Sequence, residues 1–262
     1  MRLSIAVMAV LGVLGLSRFA AADEIDDRFE KKVFTTKDGG KLNYRYLAPV
    51  APKTGEKYPL VIFLHGGGER GDDNTLQLLH GVKRFAQDDF LKQYPCYVIA
   101  PQCPKDLIWA SRKFSEEAAY QDEPSVPTKM LMELIDSLET TLAIDTHREY
   151  VTGLSMGGFG SWDMAMRQPH RFAAIAPVCP AGSDFSRMAS IKHLPVWIFH
   201  GDADTDVKVE RTLKAVAALK AAGGNPVYTE YPGVGHNCWN QAYSDLKFYE
   251  WLFAQKNEKP AK

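Results

Sequence analysis

The sequence predicts an α/β fold: a mainly parallel, doubly wound sheet with helices on both faces and an antiparallel edge at its N-terminal end. Three observations predict it. Strand-length apolar runs alternate with helical-period segments from Pro59 to Ala254. Pro59–Leu64 and Tyr97–Ala100 are continuously apolar, as strands buried on both faces are. Gly153-Leu154-Ser155-Met156-Gly157 stands between a β-branched, aromatic segment and a helical one, where strand and helix backbones must nearly touch.

The chain opens on a targeting pattern. Arg2 supplies a charged start, Leu3–Leu16 is apolar, and Ala20-Ala21-Ala22 offers a cleavage site before Asp23. The apolar run is shorter than the roughly 20 residues that span a bilayer. Residues 1–22 are therefore expected to be a signal peptide cleaved after Ala22, with export to the periplasm or the medium. Cleavage removes Arg2 and Arg18 and no acid, so the formal net charge moves from −1 to −3. No basic cluster stands out, which argues against nucleic acid or anionic lipid as partner. Residues 23–255 are expected to form one domain, and 256–262 a charged, disordered tail.

Lys32–Thr36 and Leu42–Leu47 alternate around Asp38-Gly39-Gly40, a hairpin signal. Pro59–Leu64 runs into His65-Gly66-Gly67-Gly68-Glu69-Arg70. Leu76–Leu91 reads as helix and Tyr97–Ala100 as strand. Pro104–Pro127 is a long polar loop. Leu131, Leu134, Ile135, Leu138 and Leu142 recur at helical spacing. Glu149–Thr152 reads as strand, with a helix from about Phe159 to Arg167. Phe172–Cys179 and Val196–Phe199 are further strands. Val209–Ala222 is an amphipathic helix stopped by Gly223-Gly224. Val227–Tyr231 is the last strand and Trp239–Ala254 the last helix.

In such sheets ligands sit beyond the carboxyl ends of the strands, and the chemistry-bearing residues follow strands. Ser155 lies in the G-x-S-x-G pattern of a nucleophile elbow. A dinucleotide-binding turn would want glycine at that place. A serine needs a base and a group that holds the base. His236, in the glycine-rich loop after the last strand, is the base. The acid should follow Val196–Phe199, where Asp202, Asp204 and Asp206 compete; Asp204 is preferred, with Asp202 as a loop cap. A calcium loop of the EF-hand type is excluded, because its glycine and glutamate places hold Val207 and Leu213. The oxyanion needs two N–H donors: Met156, and Gly67 or Gly68 of the His65–Gly68 turn. Glu69 and Arg70 read as a local ion pair shaping that turn. Trp109 and Trp239 are candidates for lining the substrate pocket. Nothing in the sequence calls for a cofactor or a metal. Among the cysteines, Cys96 and Cys103 flank one strand, too far apart to bridge. Cys179 with Cys238, or with Cys103, could pair in an oxidising compartment; four buried free thiols is the alternative.

Together IDTHREYVTGLSMGGFGSW, HGGGERGDDN, APQCP, HGDADTDV and GVGHNCW resemble a group of secreted α/β-hydrolases described as predicted peptidases or carboxylesterases. These are similar to the catalytic domain of prolyl oligopeptidases and to feruloyl and acetylxylan esterases. The resemblance spans about Pro59 to Trp251 and aligns Asp204 with the acid of HG-x-x-D-x-x-V. Pro180-Ala181-Gly182-Ser183-Asp184 departs from the glycine-rich run expected after the cysteine. The resemblance implies a serine hydrolase of small-molecule or polysaccharide-linked esters. A peptidase of short peptides is the alternative, and a non-catalytic homologue the third reading. There is no room for the β-propeller that prolyl oligopeptidases carry.

Overall fold

A computed structural model describes residues 25–110, 122–180 and 185–258. The expected signal peptide, residues 111–121 of the Pro104–Pro127 loop, Ala181–Asp184 and residues 259–262 of the expected tail lie outside the described residues. Among the described residues no helix is long and apolar enough to cross a membrane.

Eight strands form one sheet: β1 Glu30–Thr35, β2 Lys41–Leu47, β3 Tyr58–Leu64, β4 Tyr97–Pro101, β5 Ile144–Leu154, β6 Ala174–Val178, β7 Trp197–Gly201 and β8 Val227–Tyr231. Their order is β1-β2-β4-β3-β5-β6-β7-β8. The β1–β2 and β2–β4 pairs are antiparallel and the others parallel. The helices are α1 Asp88–Gln93, α2 Val126–Thr141, α3 Met156–Arg167, α4 Val209–Ala221, α5 Trp239–Ala242 and α6 Leu246–Ala254.

The continuous apolar runs exist because the sheet is covered twice. In β3, Ile62 and Leu64 join one core with Leu131 and Ile135 of α2; Val61 and Phe63 join the other with Phe248 and Tyr249 of α6. Burying each such side chain contributes about 1.5–3 kcal/mol before entropy is charged. The chain winds from β3 to β4 on one side, then returns to lay β5 on the other. This reversal is the switch point at which ligands of open α/β sheets bind. The turn after β3 and the serine after β5 both emerge there.

Several segments depart from the sequence reading. Leu76–Leu91 is not one helix but two 3₁₀ turns, Leu76–Leu78 and Val82–Ala86, leading into α1. Gly81 between them has φ +73°, which no right-handed helix allows, and a Cβ there would meet the Tyr243 ring at 2.4 Å. The last helix breaks because the Asp245 side chain accepts from the Lys247 amide at 3.0 Å and starts α6 afresh. The elbow strand begins at Ile144, well before Glu149, through a polar stretch in which Asp145 pairs with Arg148 at 2.6 Å. Helix α3 starts at Met156, earlier than its glycines suggest, because the packed turn overrides their poor propensity.

Candidate active site

Ser155 sits between β5 and α3 with φ +52° and ψ −113°, a strained conformation for a side-chain-bearing residue. Its amide donates to Val178 O at 2.9 Å, and its carbonyl accepts from Phe159 N at 3.0 Å. The flanking glycines are required by contact. A Cβ on Gly157 would lie 1.9 Å from the Leu64 carbonyl oxygen. One on Gly153 would lie 2.5 Å from the same oxygen and 2.6 Å from the Gly157 carbonyl. The elbow is therefore clamped against the end of β3, with the first turn of α3 at its back.

The other two residues arrive on the loops after β7 and β8. Ala203 N donates to Val234 O at 3.1 Å, so the loops lock together. Gly201 makes this possible: a Cβ there would lie 2.1 Å from Val234 O. The result brings three predicted residues into line. His236 Nε2 is 2.9 Å from Ser155 Oγ, and His236 Nδ1 is 2.7 Å from Asp204 Oδ2. The ionised carboxylate can only accept, so Nδ1 carries the proton and Nε2 is free to accept from the serine hydroxyl. Asp204 Oδ1 takes the amides of Asp206 and Val207 at 2.9 and 2.8 Å. The carboxylate is fully buried.

The competing aspartates have other positions. Asp202 Oδ1 accepts from Gly233 N at 2.6 Å, pinning the histidine-bearing loop without touching the imidazole. Asp206 is exposed. Asp204, Asp206 and His236 offer atoms within 4.8 Å of one another, as a cation site would. The atoms of Asp204 and His236 are however already committed to each other and to Ser155.

The glycine turn after β3 faces this line. Gly66 is pressed on Leu154, with 2.8 Å between an added Cβ and Cδ1, whereas Gly67 and Gly68 have open space where a side chain would be. Gly67 is half-buried and Gly68 exposed. Arg70 Nε donates to Gly67 O at 2.8 Å and holds the turn from its far side. The expected Glu69–Arg70 pair does not form. Glu69 turns inward, buried, with His80 Nε2 at 3.7 Å and His65 Nδ1 at 4.0 Å. The Arg70 guanidinium reaches two carbonyls, Gly67 and Leu107, instead, and Glu69 Oε2 is left buried without a hydrogen-bond partner. His65 donates from Nδ1 to Gly66 O at 2.6 Å and accepts at Nε2 from Cys103 N at 2.9 Å. Burial pushes its pKa down to about 4, so it is a neutral rivet between β3 and β4.

Trp109 does not line a pocket. It is completely buried, donates from Nε1 to His65 O at 3.2 Å, and packs against Gly160. The loop folds its largest apolar side chain under the turn, because that area is worth more buried than shown to water. Trp239 is half-exposed and stands edge-on to His236, centroids 5.4 Å apart, with His80 5.3 Å away on another side. It borders the imidazole. His80 and Glu69 carried no sequence signal of this placement.

The bridge between Cys179 and Cys238 is not formed, nor is one to Cys103; all four cysteines are buried free thiols. Cys179 and Cys238 are both completely buried, and burial first, then the neighbouring Cys238, pushes the Cys179 thiol well above its ordinary range. Without thiolate, disulfide exchange is slow.

A family model described as Phospholipase/Carboxylesterase matches residues 47–250. A thermostable esterase of known structure is 38% identical with a TM-score of 0.84, over 89% of this chain and 64% of that one. A ferulic acid esterase from Anaeromyces mucronatus, solved with ferulic acid, shares the fold at 18% identity and TM-score 0.61, over 87% of this chain and 90% of that one. A bifunctional acetylxylan esterase/xylanase from Neocallimastix patriciarum is 30% identical over 77 residues, 29% of this chain and 11% of that protein. The chain thus spans under two thirds of the thermostable esterase and a small part of the bifunctional enzyme.

Proposed function

Because the chain belongs to the phospholipase/carboxylesterase family, we infer that it hydrolyses carboxylic esters with Ser155 as nucleophile, His236 as general base and acid, and Asp204 as the group that orients the imidazole. The observation that carries this reading is the unbroken hydrogen-bonded line from Ser155 Oγ through His236 to Asp204. His236 Nε2 takes the hydroxyl proton as Oγ bonds to the ester carbon. The oxyanion is met by the Met156 amide at the start of α3 and by an amide of Gly67 or Gly68. The C–O bond to the alcohol breaks as His236 returns the proton to the leaving oxygen. Water then repeats the cycle on the acyl-enzyme, and the proton ends on Ser155. His236 must reach the leaving oxygen, so Trp239, packed on its ring, borders the alcohol side.

Esters attached to plant polysaccharide are the proposed substrates, supported by the acetylxylan esterase/xylanase similarity, with small-molecule esters also accepted. The test is one panel of aryl, acetyl and feruloyl esters beside short peptide amides. Ester turnover should exceed amide turnover by orders of magnitude, and feruloyl or acetyl xylan esters should rank above simple alkyl ones. Faster amide cleavage would move the reading to a peptidase of short peptides.

Residues 1–22 are proposed to be removed on export, leaving one catalytic domain over 23–255. Mass spectrometry of the exported protein is expected to find Asp23 at the N-terminus. An intact Met1 on membrane-held protein would overturn this.

A further inference from the structure

Asp204 holds two histidines. Besides His236, His200 Nε2 lies 3.1 Å from Asp204 Oδ2, the same oxygen that takes His236 Nδ1. His200 is the penultimate residue of β7, fully buried and beyond the reach of substrate. Its Nε2 also lies 2.9 Å from Val207 O, and its Nδ1 2.8 Å from Thr212 Oγ1 on α4. Both neighbours of Nε2 are acceptors, so Nε2 carries a proton. Burial, the largest influence, holds the imidazole below its ordinary range, which leaves the ring neutral and Nδ1 accepting from the Thr212 hydroxyl.

We propose that His200 is a positioning residue: its Nε2–H shares the Asp204 carboxylate with His236 and so limits how tightly that carboxylate holds the His236 imidazolium. The proposal rests on the triad reading above. A carboxylate oxygen with a second donor has less charge to offer the first. Remove the second donor and the imidazolium is held harder, so His236 gives up its proton less readily at low pH. His200 also anchors Asp204 between β7 and α4, through Thr212, against drift. Among the described residues, the other ionisable groups near the pair include Ser155 at the elbow, Asp206 on the β7 loop, Asp202 further along it on Gly233 N, and the thiols of Cys179 and Cys238. All of them are kept in the variants below.

The test is the pH profile of kcat/KM for an ester substrate in His200→Phe, His200→Gln and Thr212→Val. Phe fills the space without a donor. Its acidic limb is expected to move up by about 0.5–1 pH unit, with kcat/KM at the plateau down about 10- to 100-fold, the span of a hydrogen bond to a charged group. Gln places an amide N–H near where Nε2 stood and should bring the limb back. Thr212→Val keeps the imidazole but frees its Nδ1, and should move the limb the same way by less. If His200→Phe does not fold, the Gln and Val variants carry the test. A limb unmoved in folded His200→Phe, or in Thr212→Val where Phe fails to fold, overturns the proposal; so does a Gln variant no better than Phe. If Asp204→Asn leaves activity intact, the triad reading falls instead, which separates the two failures.

Discussion

Ser155→Ala is expected to lower kcat by about 10⁶-fold while leaving the fold intact. The size follows from how such groups act. The imidazole and carboxylate have nothing to activate once the oxygen is gone, so losing the serine costs about as much as losing all three. The remaining rate over water comes from the oxyanion donors and binding alone. The fold should survive because Ser155 caps nothing with its side chain. Alanine at φ +52° is no more strained than serine, and Gly153 and Gly157, which bear the close contact with Leu64, are untouched. The measurement is steady-state turnover with circular dichroism on the same sample. A covalent fluorophosphonate label should mark the wild type at Ser155 and fail on the variant. Wild-type turnover in a folded Ser155→Ala protein would sink the assignment of the nucleophile.

Asp204→Asn is expected to cost about 10⁴-fold in kcat, and Asp202→Asn almost nothing. A carboxylate facing His236 Nδ1 can only accept, which keeps the ring in the tautomer with Nε2 bare. An asparagine can turn its amide N–H toward Nδ1. The proton then moves to Nε2, which faces Ser155 Oγ and can no longer take the hydroxyl proton, and the imidazolium loses its counter-charge. Asp202 only accepts from Gly233 N, and the amide oxygen of asparagine does the same. Comparing the two variants at one pH separates a chemical role from a loop-holding one. If Asp202→Asn is the more damaging change, the wrong carboxylate has been assigned.

These predictions depend on features that differ in how far they can be read from the chain. Close approach of backbones leaves a local trace, because only glycine permits it. The glycines around Ser155 could therefore be placed before any neighbour was known, and the Leu64 oxygen is the neighbour that demands them. Burial on both faces also leaves a trace, in the unbroken run Pro59–Leu64. Gly81, by contrast, lies inside Leu76–Leu91, the stretch read as helix. It has positive φ, and a side chain there would meet the Tyr243 ring, which arrives from 162 residues away. Trp109 read as a candidate for the pocket wall and is instead core. Its choice depends on a cleft under His65 that exists only once β3 and β4 are paired.

The chain order of serine, acid and histidine, and the place of each after a strand, were determined by the sequence alone, since strand periodicity and turn glycines are properties of neighbouring residues. Which of three aspartates meets His236 was decided by tertiary structure, although the likeness of the motif already favoured Asp204. So were the inward turn of Glu69, the free thiols of Cys179 and Cys238, and the second histidine on Asp204. Each of these depends on groups far apart in sequence competing for one partner in a space that water has left. A carboxylate, a thiol or an imidazole has the same covalent structure wherever it stands. Its role comes from the donors, acceptors and apolar walls that the packed sheet brings against it.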